Sequence, residues 1–204
     1  MAAGLSPMSS RERLFLRHAS ALVPDTDIPP WSGYMPAKQL GPGVAFVDLP
    51  PVVRALLIAD GTVTMALEAL FEEPVAVEVA QQRSLCAPDA VAALESAIDE
   101  PLFYREVSLR GERSGRRFAR AYSLLREAAL EPELLARLRG EEVGMGVVLR
   151  HTAKSSYRRV LHMGSGDLAS DAPDRVHRTY CVFVRERPCI LITEVFSLPA
   201  LAGV

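Results

Sequence analysis

The most constraining feature of this chain is a turn too short to let its two flanking strands run in any direction but opposite ones. Residues 102–110 and 116–125 are rich in β-branched, aromatic and aliphatic side chains and flank Gly111-Glu112-Arg113-Ser114-Gly115. A parallel pairing needs a crossover of a dozen or more residues, so this glycine-bounded reversal commits the two segments to an antiparallel hairpin. The same reasoning applies near the C-terminus, where 176–185 and 189–196 are joined by Arg185-Glu186-Arg187-Pro188. Val75, Val77 and Val79 alternate with Ala76, Glu78 and Ala80, which predicts a strand with one wet face, and 156–163 is a further strand candidate. Strands outnumber the connections long enough to cross over. The expected product is an α+β domain: an antiparallel β-sheet meander with helices on one face.

The helices are read from periodicity and caps. Leu14, Phe15, Leu16, Ala19 and Leu22 give 9–22 an apolar stripe. Pro24, Pro29, Pro30, Pro36 and Pro42, with Gly33, Gly41 and Gly43, then rule out regular structure, because proline fixes φ and removes a donor. This stretch is expected to wrap the main body, with Trp31 and Tyr34 as apolar anchors. Residues 1–45 are thus an N-terminal helix and Pro-rich wrap, and 46–204 the main domain. Pro50-Pro51 opens a helix that buries Val52, Val53, Leu56 and Leu57. Asp60-Gly61 breaks the chain and Thr62 caps a second helix carrying Met65, Leu67, Leu70 and Phe71, ended by Pro74. Val91, Leu94 and Ile98 predict a helix over 87–98, and 132–138 a short one; Gly144 and Gly146 flank Met145 and lead into Val147, Val148 and Leu149.

Composition excludes several functions. The 204 residues are 49% hydrophobic with a net charge of -2, enough apolar material for a core and no long-range attraction for nucleic acid. Cys86, Cys181 and Cys189 form no CxxC pair, and read as reduced thiols packed as small apolar groups. The N-terminus lacks the apolar stretch of a signal peptide, and no run approaches the roughly 18 apolar residues of a membrane span. A soluble, cytoplasmic protein is expected, with no membrane partner.

Two charges sit inside strands. Glu194 lies in Ile190-Leu191-Ile192-Thr193-Glu194-Val195-Phe196, and alternation places it on one face with Ile190, Ile192 and Phe196. Facing inward, it would be a desolvated acid; facing outward, it would be an ordinary edge-strand charge. Arg105, in Leu102-Phe103-Tyr104-Arg105-Glu106-Val107, offers a planar fork suited to a carboxylate, or simply a buried partner for a glutamate. Both readings stay open for each residue.

Other constellations carry less. His18, His151, His162 and His177 have no zinc-ligand spacing, so no metal is expected. Arg150, His151, Lys154, Arg158 and Arg159, with Tyr157 among them, read as a solvated basic face rather than an RNA-binding one. Gly41-Pro42-Gly43 and Gly164-Ser165-Gly166 lack the lysine and the strand-to-helix setting of a phosphate loop, and no serine sits in an esterase elbow.

Taken together, several segments resemble the chorismate lyase family. Arg187-Pro188-Cys189-Ile190-Leu191-Ile192-Thr193-Glu194-Val195-Phe196 matches its basic-Pro, aliphatic, Thr-Glu-aliphatic-Phe ending. Tyr104-Arg105-Glu106-Val107-Ser108-Leu109 resembles its arginine-bearing strand, and Ala119-Arg120-Ala121 occupies the place of a second arginine. Asp60-Gly61-Thr62-Val63-Thr64-Met65-Ala66-Leu67-Glu68 and Glu142-Val143-Gly144 resemble its helix start and its glycine loop. The order agrees from about Leu56 to Phe196, while the first 45 or so residues have no clear counterpart. The resemblance implies a chorismate lyase-like fold with two helical flaps over an internal pocket. It also implies the roles: Arg105 clamping the ring carboxylate, Glu194 at the opposite end as a proton donor, and Arg120 holding a second carboxylate or passing ligand between sites. Thr62, Val63, Val143 and Gly144 would complete the pocket.

The implied reaction is cofactor-free elimination of pyruvate from chorismate to give 4-hydroxybenzoate, a step of aromatic acid biosynthesis and of some secondary metabolism. Val63 stands where some lyases have methionine, Ala121 where Thr or Ser is common, and no proline-leucine precedes Gly144. These departures leave the ionic groups in place and bear on substrate and product isomer. Two alternatives remain: a non-catalytic aromatic-acid module, since one bacterial regulator family uses this fold as its effector-binding half, or a related natural-product enzyme with another ligand or benzoate isomer. The segment before Leu49 is too short and broken for the winged-helix domain such regulators carry. Oligomeric state cannot be read from the sequence.

Overall fold

The computed structural model describes residues 7–25, 38–140, 145–152, 156–168, 172 and 174–201, the side chains of 150–152 excepted. In chain order they form α1 (Ser10–Ser20), a small hairpin of β1 (Gln39–Gly41) and β2 (Val44–Ala45), α2 (Pro51–Ile58), α3 (Val63–Phe71), β3 (Val75–Cys86), β4 (Pro101–Gly111), β5 (Arg117–Arg126), α4 (Pro132–Arg139), α5 (Met145–Thr152), β6 (Ser156–Ser165), β7 (Arg175–Val184), β8 (Arg187–Ser197) and α6 (Leu198–Leu201). The main sheet has six strands in the order β3-β4-β5-β8-β7-β6. Every neighbouring pair in it is antiparallel. Two consecutive meanders, β3-β4-β5 and β6-β7-β8, therefore meet along β5 and β8, and the fold is α+β as expected.

The turns explain the pairing. In the β4–β5 turn, Glu73 Oε2 accepts from the backbone N–H groups of Arg113 and Ser114, each at 2.9 Å. Between β7 and β8 the turn is only Arg185 and Glu186, with φ of 49° and 65°. Positive φ at both central residues matches the right-handed twist of the flanking strands, which is why a two-residue hairpin forms here. Arg187 and Pro188, expected in the turn, belong to β8.

Helices α2 to α5 pack on one face of the sheet. Val53, Leu57, Val63 and Leu67 lie against Leu109 and Phe196, and Leu134, Leu138, Val148 and Leu149 against Phe103, Ile190 and Ile192. The N-terminal helix adds a layer to the other face. Its capping box, in which Ser9 Oγ accepts from Glu12 N and Glu12 accepts from Ser9 N, fixes the start of α1. Phe15, Leu16 and Ala19 then pack against Tyr104, Tyr122 and Leu191. Complete burial of a Phe15-sized side chain contributes about 1.5–3 kcal/mol, enough to hold a short helix in place.

The expected helix over 87–98 is absent. Only Ala92–Leu94 forms a single 3-10 turn, followed by Glu95 at φ 52°. Val91 and Leu94 are buried, while Ile98 is exposed at 64%. An i,i+3 apolar pair fits one 3-10 turn as well as an α-helix, and the Ser96 hydroxyl takes the Val91 N–H that a helix would use elsewhere. Trp31 and Tyr34 lie outside the described residues. Among the described residues no helix is long and apolar enough to cross a membrane.

Candidate active site

The face beneath α2 to α5 presents alternate residues of all six strands of the main sheet. Arg105, Val107 and Leu109 of β4, Ala121 of β5, Ile192 and Glu194 of β8 and Tyr180 of β7 line one recess of about 560 Å³, open solvent at its mouth included. Its roof is the start of α3, from Gly61 to Thr64, and the start of α5, at Met145 and Gly146. The two helix starts touch: a Cβ added at Gly146 would stand 2.8 Å from both Thr62 Cγ2 and Thr62 Oγ1. Glycine at 146 is what permits this approach. It brings the first turns of two helices, whose N–H groups lack intrahelical partners, over the same space.

Arg105 and Glu194 both line this recess, and both are buried, at 1% and 6% exposure. They stand on either side of β5 and two residues apart along the strands, Arg105 level with Ser123 and Ile192 and Glu194 level with Ala121 and Val107, so their backbones are about 12 Å apart. Arg105 Nη1 donates to the Leu138 carbonyl at 3.1 Å. Burial lowers the Arg105 pKa from its ordinary value, though arginine stays cationic under such a shift.

Glu194 is held by residues that the sequence reading passed over. Arg178 Nε donates to Glu194 Oε2 at 2.8 Å and the Tyr180 hydroxyl to Oε1 at 3.0 Å. Arg178 is fully buried, lies 4.9 Å from the centre of the Tyr180 ring, and also donates to the carbonyls of Leu57 and Ala59. Its Nη2 has no hydrogen-bond partner among the described residues. Burial, and then the charge of Glu194, push the Tyr180 pKa up, so its hydroxyl stays a donor. The signal that marked Arg105 and Glu194, a charge inside an apolar strand, was equally present at Arg178.

Two further placements differ from expectation. Arg158, read as part of a solvated basic face, lines the recess and donates to the Asp60 carbonyl at 2.9 Å. Arg159 is exposed, with its guanidinium over the Phe183 ring; Lys154 and the side chains of Arg150 and His151 lie outside the described residues. Arg120 is not brought to the recess. Ala121 pairs with Glu194 and Arg120 with Val195, so the arginine points to the other face, beside Glu106 at 3.6 Å and Asp167 at 3.9 Å. Thr62 and Val63 stand at the roof; Val143 and Gly144 lie outside the described residues.

The outer face also gathers histidines that sequence spacing kept apart. His18, His162 and His177 have ring centroids 5.6 to 5.9 Å from one another. Each has one ring nitrogen against a protein oxygen, of Thr179, Asp25 and Gly166 respectively. Among the described residues no group of three or more His, Cys, Asp or Glu side chains is arranged to hold a metal ion.

Known proteins share the fold and part of the sequence. A chorismate pyruvate-lyase of Mycobacterium leprae (strain TN) is 26% identical over 153 residues, covering 71% of this chain and 73% of that protein. Among solved structures, the effector domain of PhnF from Mycobacterium smegmatis superposes with a TM-score of 0.52 at 16% identity, over 69% of this chain and 90% of that one. For a longer PhnF chain the TM-score is also 0.52 at 14% identity, and the matched region spans only 65% of its length. At such identities these two structures establish the shared fold and nothing more. The Rv2949c-like chorismate pyruvate-lyase family matches residues 57–203, and the chain belongs to that family.

Proposed function

We propose that this protein is a chorismate pyruvate-lyase that works without a cofactor. The observation that carries the reading is the placement of Arg105 and Glu194 on one buried wall beneath two helix starts. Chorismate bears a ring carboxylate and an enolpyruvyl ether on the carbon next to one carrying hydrogen. Elimination breaks the ring C–O bond and removes that hydrogen as a proton, so the ring becomes aromatic as 4-hydroxybenzoate. The departing enol takes up one proton at its CH2 carbon and becomes pyruvate. One proton leaves and one is returned, and no oxidant or reductant is required.

The residues divide this work. Arg105 clamps the ring carboxylate through its planar fork, fixing the far end of the substrate. Glu194, with a donor on each oxygen, begins as the proton acceptor toward the ring C–H, and its role as donor to the enol follows once it has taken that proton. Helix-start N–H groups at the roof favour negative charge building on the departing oxygen. Because aromatisation drives the reaction, orientation and exclusion of water supply most of what the protein must add.

The test is incubation of the purified protein with chorismate, reading pyruvate enzymatically and the aromatic product by chromatography. Pyruvate and 4-hydroxybenzoate are expected without added metal, with Glu194→Gln slower by about 10²–10⁴-fold. No pyruvate above the spontaneous background overturns the reading. The fold shared with the PhnF effector domain favours a second one, a ligand module; tight hydroxybenzoate binding with no turnover is its signature. A different benzoate isomer in the chromatogram marks a related natural-product enzyme.

A further inference from the structure

We propose that the outer face of the sheet, opposite the recess, holds a second binding site: a hollow walled by Arg117, Arg120 and Arg175 that takes a small oxyanion, phosphate or a carboxylate. The inference does not rest on the proposed lyase reaction.

A strand irregularity builds the site. In a regular strand, residues three apart face opposite ways. Arg117 and Arg120 nevertheless line one hollow of about 430 Å³, open solvent at its mouth included, together with Asp167, Arg175, Val195 and Ser197. The cause is an extra residue in β5: Leu109 pairs with Ala119 and Arg110 with Arg117, which leaves Phe118 without a cross-strand partner on β4. Phe118 and Ala119, consecutive in sequence, both bury in the cluster beneath α2 and α3, where the Phe118 ring stacks on Phe71 with centroids 4.0 Å apart. The bulge therefore turns Arg117 to the face that Arg120 already occupies.

The charges gathered there are not balanced one for one. Arg175 Nη1 meets Asp167 Oδ2 at 2.7 Å, and its Nε stands 4.0 Å from Asp174. Arg120 has Asp167 at 3.9 Å and Glu106 at 3.6 Å, and Glu106 also takes Arg11 at 3.3 Å. These carboxylates serve three arginines; among the described residues none lies within ion-pair distance of Arg117. Burial first, and then the charges of Arg120, Arg175, Arg110 and Arg11, lower the Arg117 pKa from its ordinary value. Arg175 adds a donor, since its Nε is buried and has no hydrogen-bond partner among the described residues. The side chains of Arg120 and Arg175 are held through Asp167, so an incoming oxyanion meets guanidinium forks already oriented and partly desolvated, with the exposed Arg117 at the rim to complete the contact. One unmatched cation suits one oxyanionic group rather than a polyanion.

The experiment is calorimetry on the whole protein at low ionic strength, titrating inorganic phosphate and, separately, acetate, with sodium chloride at matched ionic strength as the control. One saturable site for an oxyanion, which chloride does not reproduce, is expected. Arg117→Met should weaken it by about tenfold, and Arg117→Lys, which keeps the charge but not the fork, by less. Arg105→Met, on the recess side of the sheet, should leave the affinity within about twofold. Phosphate binding more tightly than acetate makes the ligand a phosphate; the reverse order makes it a carboxylate. Arg117 is exposed and takes no partner among the described residues, so its replacement should leave the thermal midpoint and any pyruvate release from chorismate unchanged. The proposal is overturned if neither probe binds beyond the chloride control, or if Arg117→Met binds as the wild type does. Loss of binding in Arg105→Met also overturns it, because the anion then sits in the recess. None of these readouts requires turnover, so a protein that releases no pyruvate can still bind the oxyanion here.

Discussion

Arg178 and Glu194 sit directly opposite each other on β7 and β8, with Nε and Oε2 2.8 Å apart and the guanidinium entirely shielded from solvent. Two charges taken out of water recover their desolvation only through each other and through additional hydrogen bonds. Glu194 has such a bond from Tyr180, and Arg178 has the Leu57 and Ala59 carbonyls. The pair therefore fixes the carboxylate toward the recess and anchors the loop between α2 and α3.

Removing one member leaves the other buried and uncompensated. Arg178→Met is expected to cost about 3–5 kcal/mol in urea denaturation, whereas Arg178→Met combined with Glu194→Leu should recover most of that loss. A double variant as unstable as the single one would show that Arg178 acts through packing or its backbone contacts instead.

The roof gives a second prediction. A methyl at position 146 would overlap Thr62, a β-branched side chain with little freedom to turn away. Gly146→Ala should force the starts of α3 and α5 apart, cost about 1–3 kcal/mol and weaken ligand binding. Thr62→Gly in the same chain removes the overlapping atoms and should restore affinity. Calorimetry with 4-hydroxybenzoate reads this directly, and unaltered binding by Gly146→Ala would refute the close approach.

Two glycines of one turn make a third. Gly115 has φ 66° with open space around a hypothetical Cβ, while a Cβ at Gly111 would stand 2.5 Å from the Glu73 carboxyl carbon. Gly115→Ala should cost only the left-handed backbone penalty, about 1 kcal/mol. Gly111→Ala should cost more, because its Cβ would also stand 2.6 Å from Ser114 Oγ, and replacing both Glu73 and Ser114 by Ala alongside it should relieve the clash. Thermal unfolding of the variants separates the two mechanisms, and equal losses at both glycines would argue against the clash.

How far the sequence carried this picture depends on which contacts were local. The β4–β5 hairpin was legible because Gly111 and Gly115 bound a reversal that only an antiparallel pair can use, and Arg105 and Glu194 because a charge in an apolar strand is conspicuous. The partnership of Glu194 with Arg178 was not, because it depends on register. A turn of Arg185 to Pro188 would pair Arg178 with Val195 and send the arginine and the glutamate to opposite faces. The observed two-residue turn, with an irregularity at Val182 and Phe183, shifts the register by one and puts them together. Arg158 escaped for a similar reason: its neighbours in sequence are basic and polar, and only the sheet edge determines that it lies at the recess. Ala87 to Ile98 misled because its spacing suited two kinds of turn.

The last prediction concerns α1 and pH. His18 lies against Thr179, with His162 and His177 beside it and Asp25, itself paired with Lys38 at 2.9 Å, on the far side of His162. Burial first, and then the neighbouring imidazoles, lower the His18 pKa from 6.5 to about 4. Between those values the unfolded chain binds a proton that the folded one refuses, so stability rises with pH across that window and is lost on acidification. At pH 5 the loss from His18 amounts to about 2 kcal/mol relative to pH 8. Glu12, at the start of the same helix, contributes in the same direction at lower pH. Although burial opposes it, the Ser9 and Arg83 contacts hold its pKa below 4.5, so its stabilisation fades only as pH falls through that lowered value. His18→Gln keeps a hydrogen-bonding group toward Thr179 and cannot be protonated. It should flatten the stability curve between pH 6.5 and 4.5 while leaving the steeper acid limb, as read from urea midpoints at half-unit pH steps. A variant with the slope of the wild type would place the titrating group elsewhere, His177 being the next candidate because burial also lowers its pKa.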